Sequence, residues 1–230
     1  MSDLLATSIF WLAATLIIFQ GADLLSQRSG RHPLCHPVLL ATPPLIGLLL
    51  LTGTPYPTYV EATQFLSFLL GPAVVGLAVP IWQRRALIRR LAAPLILALL
   101  AGAITAIASA VGILALFGAP RAILASIAPR ATTTPVAMDM AAQLGGVPSL
   151  AAAIVLLAGA VGAMTATPLF NAMKIHDYRA RGFAVGVSAH GFGAARAFQV
   201  DSTAGAFASL GLALNAVATC LLLSALALLV

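Results

Sequence analysis

Between Arg90 and Arg121 the chain carries no charged side chain. That stretch exceeds the roughly 20 apolar residues a helix needs to cross a bilayer. A soluble domain could bury such a helix only inside a core with a polar coat, and this chain has no such coat. Charged residues make up 8% of its 230 positions, hydrophobic residues 61%, and the mean hydropathy is +1.04; a soluble domain has roughly 25% charged residues. Several other runs approach the same length, so the chain reads as an integral membrane protein. No segment alternates polar and apolar residues as a barrel strand does. Alanine, leucine and glycine dominate instead, which suits closely packed helices with small residues at their contacts. The expected class is an all-α membrane protein forming a single transmembrane domain over 1–230.

Asp3 stands where a cleavable signal would carry a base, and the first apolar run ends in Gln20-Gly21-Ala22-Asp23; the first run reads as retained. The net charge of +6 does not point to nucleic acid, because the bases lie in short loops where they orient a chain in a bilayer. Cys35 and Cys220 lie at or inside apolar runs without metal-ligand spacing, and read as two buried thiols rather than a disulfide.

The apolar elements span 4–26, 34–53, 61–83, 91–117, 121–144, 148–171, 180–199 and 204–229, giving seven to eight membrane elements. The third is interrupted at Gly71-Pro72 and the seventh at Gly186, Gly191 and Gly193. Each follows a span ending in Thr-Gly-Thr-Pro (52–55) or Thr-Ala-Thr-Pro (165–168). We therefore expect two four-element repeats, about 4–117 and 121–229. Paired interrupted spans in matching halves are a pointer to a transporter binding site. Arg28 and Arg31 mark one loop as cytoplasmic; Arg84, Arg85, Arg89 and Arg90 mark a second; Lys174, Arg179 and Arg181 mark a third. The base-free loops near 54–60, 145–148 and 201–203 read as external. Basic loops in one half then match base-free loops in the other, as inverted repeats require. The 121–144 element, with Arg121, Pro129, Arg130, Pro135 and Asp139, does not fit as a crossing. It is expected to enter and leave on one side or to fold against the other helices, where broken backbone is tolerated.

Three stretches carry candidate chemistry. In Arg130–Met138, an arginine sits beside the hydroxyls of Thr132, Thr133 and Thr134. Arginine at mid-membrane costs roughly 2.5–3.5 kcal/mol on insertion scales, and its planar fork suits a carboxylate. Pro135 suits the first turn of a helix, whose free N–H groups attract anions. The alternative is an interfacial arginine followed by a capped helix. Asp139 is either a proton or cation carrier or the counter-ion of an arginine. In Ser188–Ala197, Ser188, His190 and Arg196 lie in a glycine-broken span, where His190 can carry a proton or donate to an anion; helix packing through small residues is the alternative. In Leu70–Pro80, uncharged, Gly71 and Pro72 offer open backbone or a simple kink. Asn171 and Asn215 line a site or bridge helices. Neither a metal set nor a nucleophile elbow is present, so the chain is not expected to be an enzyme and no cofactor is expected.

The stretches FLLGPAVVGLAVPIW, SIAPRATTTPVAM followed by QLGGVPSLAA, and GVSAHGFGAARA resemble the LrgB/CidB family, from about residue 40 to the C-terminus. The resemblance implies the membrane half of a two-part bacterial system whose partner is a smaller LrgA/CidA-type membrane protein, in the inner membrane. It also implies kinship with a fused plastid glycolate/glycerate translocator. Two functions follow: transport of small carboxylates such as pyruvate, glycolate or glycerate, or a holin/antiholin-like modulation of murein hydrolase export and lysis. Gln199, Ser202 and Ala204 stand where relatives are richer in glutamate, and Val74 and Gly76 replace threonine and alanine, leaving substrate preference and coupling open. Between the two, the arginines, hydroxyls, histidine and paired interrupted spans favour a secondary carboxylate transporter working by alternating access. Arg130, Arg196 and helix starts would meet the carboxylate, the threonines and Ser188 a 2-hydroxyl or 2-oxo group, and Asp139 or His190 would couple. Helices 91–117 and 204–229 would form the scaffold and the contacts of a homo-oligomer, a dimer.

Overall fold

The computed structural model describes residues 8–30, 35–76 and 78–227, without the side chains of 70, 73 and 74. Asp3, Arg31, Leu77 and the side chain of Val74, all used above, lie outside the described residues. No strand occurs among the described residues. Four helices are long and apolar enough to cross a membrane, and up to five if the bent pair Pro37–Thr52 and Tyr56–Ala62 is one broken span. The chain is a multi-pass helical membrane protein. Seven to eight spans and two inverted repeats do not emerge: the apolar runs 61–83, 121–144 and 180–199 are broken into shorter helices or turned back on themselves. The chain divides into two compact units, Met1–Gly76 and Leu77–Val230.

The first unit contains α1 (Ser8–Arg28), α2 (Pro37–Thr52), α3 (Tyr56–Ala62) and α4 (Gln64–Gly76). Trp11 is its anchor, fully buried with its ring edge-on to Tyr59; the Tyr59 hydroxyl reaches Thr15 Oγ1 at 3.1 Å. Gly53 ends α2 at φ 64, and the N–H groups of Gly53 and Thr54 turn back to the Leu50 and Leu49 carbonyls. A residue with a side chain is strained there, so glycine permits the 116° bend into α3. Gly71-Pro72, expected to open the backbone, lies inside the continuous helix α4. Pro72 removes one N–H, but a side chain at Gly71 would meet nothing within 4 Å. The break falls at Thr63, between α3 and α4.

The second unit contains α5 (Ala78–Gln83), α6 (Arg85–Arg90), α7 (Ala92–Leu116), α8 (Arg121–Ile127), α9 (Thr134–Gln143), α10 (Pro148–Ala172), α11 (Tyr178–Val200) and α12 (Ser202–Ala227). Two helical hairpins dominate it. In the first, α8 runs inward, turns through 128–133 and returns as α9. Ala128 packs with Met140, and Ser126 Oγ accepts from Val147 N at 2.8 Å, so the two limbs are antiparallel.

The second hairpin is α11 itself. His190 adopts φ 38, ψ −128 and divides it into 178–189 and 191–200. In a straight helix residues eight apart are about 12 Å apart, yet a side chain on Gly193 would meet the Val185 carbonyl at 2.6 Å. The limbs therefore double back. Tyr178 and Arg181 near the start of α11 share a small cavity with Arg196 and Val200 near its end.

Helix α12 packs on both limbs. Side chains at Gly182 and Gly186 would collide with the backbone of Ala204 and Ala208, and one at Gly211 with the Phe183 carbonyl at 2.6 Å. These glycines let the backbones touch, where dispersion and close packing replace the missing hydrophobic drive of lipid. Residues 204–212 are all buried, so that part of α12 has no face left for another copy of the chain. Asp201 starts the helix by accepting from Thr203 N at 2.7 Å and Ala204 N at 3.0 Å, as an N-cap does.

The doubling-back corrects the expected topology. The 201–203 loop was expected on the external side, opposite Arg84. Instead the Arg84 guanidinium donates to Ser202 Oγ at 3.1 Å. The run 180–199 is long enough for one crossing, but His190 folds it into two half-length limbs.

Candidate anion site where the two hairpins meet

The hairpin turns approach each other halfway along their neighbours. Ala137 and Ala141 of α9 pack on Ala151 and Val155 of α10. From the opposite direction the His190 ring fits over Gly159, where a side chain would meet ring Nε2 at 2.7 Å. Its Nε2 contacts the Val155 carbonyl at 3.0 Å; the carbonyl can only accept, so the nitrogen donates. Asn215, midway along α12, donates to the carbonyls of Ala131 at 2.8 Å and Val187 at 3.1 Å. Each hairpin thus brings its turn to the middle of 25- and 26-residue spans, where irregular backbone needs protein partners.

A cavity of about 790 Å³ runs along this arrangement. Leu95, Ala98, Gly102, Phe183 and Val187 give it apolar walls, and Thr105, Ser109, Arg130 and Ser188 add polar atoms. Asp177 and Arg179 line it at the start of α11. They pair through the Asp177 carboxylate and Arg179 guanidinium, and Asp177 also caps α11 by accepting from Arg179 N at 2.8 Å. The hydrogen bonds from Arg179 hold the Asp177 carboxyl well below its ordinary range, to about 2.

Arg130 is half-buried at the turn of the first hairpin. Among the described residues its side chain has no hydrogen bond or carboxylate partner, the described ion pair being Asp177–Arg179. Thr132 is fully buried and its hydroxyl donates to the Pro129 carbonyl at 2.8 Å; it fixes the turn rather than facing the cavity. Thr133 is the N-cap residue of α9 but makes no side-chain cap, and Thr134 and Pro135 open the helix. Among the described residues, no side-chain cap serves the N–H groups of that first turn.

Ser188 shares the cavity with Arg130, its hydroxyl donating to the Ala184 carbonyl at 2.8 Å. The other candidates of the second unit lie elsewhere. His190 is buried at the hairpin turn, with 3% exposure. Arg196 lines the smaller cavity and bonds Gln199 at 3.3 Å. Asn171 accepts from Arg181 at 2.6 Å, tying α10 to α11. Asp139 is exposed on α9. Gly71 and Pro72 belong to the first unit. Cys35 and Cys220 are free thiols, each half-buried. Sequence reasoning missed Thr105 and Ser109; their signal was two hydroxyls one helical turn apart on the otherwise hydrocarbon α7.

Four helices long and apolar enough to cross a bilayer, with two folded hairpins packed among them, define a multi-pass membrane protein. The chain belongs to the LrgB-like family, whose profile matches residues 15–229. It is 32% identical over 208 residues to protein YwbG of Bacillus subtilis (strain 168), covering 90% of this chain and 92% of that one. It is 26% identical over 222 residues to holin-like protein CidB of Staphylococcus epidermidis, covering 96% of each. Protein YxaC of Bacillus subtilis (strain 168) is 31% identical over 185 residues, 80% of each chain. No solved structure matches the chain.

Proposed function

We propose that the chain is a secondary transporter of small monocarboxylates of the 2-hydroxy or 2-oxo acid type, such as glycolate, glycerate or pyruvate, in the bacterial inner membrane. The observation that carries this reading is Arg130: a half-buried guanidinium facing a cavity, with no carboxylate partner among the described residues. A permanent charge at that depth is expensive, and a substrate carboxylate offers it a bidentate acceptor. Ser188, Thr105 and Ser109 supply hydroxyls for the substrate's second oxygen, and the apolar walls limit its size. The expected partner is an LrgA/CidA-type small membrane protein. Alternating access would move one or both hairpins against α7, α10 and α12.

The relatives named holin-like protein CidB favour a second reading, a lytic pore or its regulator. Proteoliposomes loaded with dye separate the two. The transporter gives saturable uptake of labelled carboxylate, competed by unlabelled carboxylate, with the dye retained. Dye loss without saturable uptake would overturn the transport reading.

A further inference from the structure

Asn215 is fully buried at the middle of α12. Both partners of its Nδ2 are carbonyls, so the amide can point only one way: its oxygen there would face two oxygens. The two carbonyls belong to residues 84 and 28 positions away, one in each hairpin. Ala131 directly follows Arg130, and Val187 directly precedes Ser188. The amide therefore holds the backbone next to Arg130 and Ser188, polar side chains that the opposing hairpins contribute to the cavity. Its own Oδ1 is buried without a hydrogen-bond partner, a penalty that a leucine of similar volume would not carry. The requirement for an amide here lies in its two donors.

We propose that Asn215 is a positioning residue, which sets the Arg130 guanidinium and the Ser188 hydroxyl in register by tying both hairpin turns to α12. This rests on the anion-site reading above. It assigns Asn215 a role through its neighbours, since Asn215 itself does not line the cavity.

The test uses the full chain in lipid with Cys35→Ser and Cys220→Ser, spin-labelled at Arg130→Cys and Ser188→Cys. With Asn215 in place the distance distribution is narrow. Asn215→Leu broadens or shifts it, and an unchanged distribution overturns the proposal. If Asn215→Leu does not reach the membrane, Asn215→Ser, with one donor, takes its place, and the same two outcomes apply.

Uptake kinetics on the chain without labels supply the second readout. Asn215→Leu raises the KM for a labelled 2-hydroxy carboxylate about tenfold, more than it lowers the maximal rate, and Asn215→Gln recovers part of the loss. An unchanged KM overturns the proposal. If the chain with Asn215 shows no saturable carboxylate uptake, the transport reading fails on its own, and the label distances still decide the bridge.

Discussion

His190 stands at φ 38, a backbone region that costs a non-glycine residue about 1–3 kcal/mol. Its ring offsets this by packing over Gly159 and donating to Val155. Glycine at 190 would relieve the backbone but lose the ring; alanine would lose the ring and keep the strain. We expect His190→Gly to melt above His190→Ala in detergent, by about 1 kcal/mol of stability. The reverse order would mean that the turn is not strained. Asp177 behaves differently. A carboxylate with a lowered pKa contributes fully above its ordinary range, about 3.9, and loses that contribution as pH falls through about 2. The pair with Arg179 thus stays charged from about pH 4 to 9. Asp177→Asn is expected to change the rate of uptake but not the shape of its pH profile; a changed shape would assign proton coupling to this pair.

At the scale of elements, the two hairpins depend on backbone contact. Gly186 lies against the Ala208 backbone, which cannot swing aside as a side chain can. Gly186→Val is expected to cost about 1–3 kcal/mol or more and to lower the yield of folded protein. A variant with normal yield and melting would show that α11 and α12 are farther apart. How legible these elements were in the sequence follows from what periodicity and composition record. The break at 128–133 was readable because Pro129, Arg130 and Pro135 conflict with a continuous span. The glycines of 186–193 signalled irregularity, but not that His190 reverses the chain. A run long enough for one crossing also fits two half-length limbs, and only contacts such as Gly193 with Val185 decide. Gly71-Pro72 misled because proline and glycine permit a break without requiring one. The bridge from Asn215 was invisible, since its partners are main-chain carbonyls of ordinary alanine and valine.

At the scale of the whole molecule, the membrane class was legible in full, because scarcity of charge over long apolar runs admits no soluble alternative. The side assignment of 201–203 was not, since it assumed that the run 180–199 crosses once. Single cysteines in a background without Cys35 and Cys220 test the revised path. Tyr178→Cys and Ser202→Cys are expected to react with an impermeant maleimide from the same side of the membrane; labelling from opposite sides would contradict the second hairpin. The central claim, that the cavity holds a carboxylate against Arg130, is tested most directly by the initial rate of labelled glycolate and pyruvate uptake into proteoliposomes containing the chain and its Arg130→Ala variant at equal incorporation. The account predicts saturable uptake by the chain with Arg130 and a loss of at least a hundredfold in Arg130→Ala, about 2.7 kcal/mol of lost interaction. Equal saturable uptake by both would contradict it.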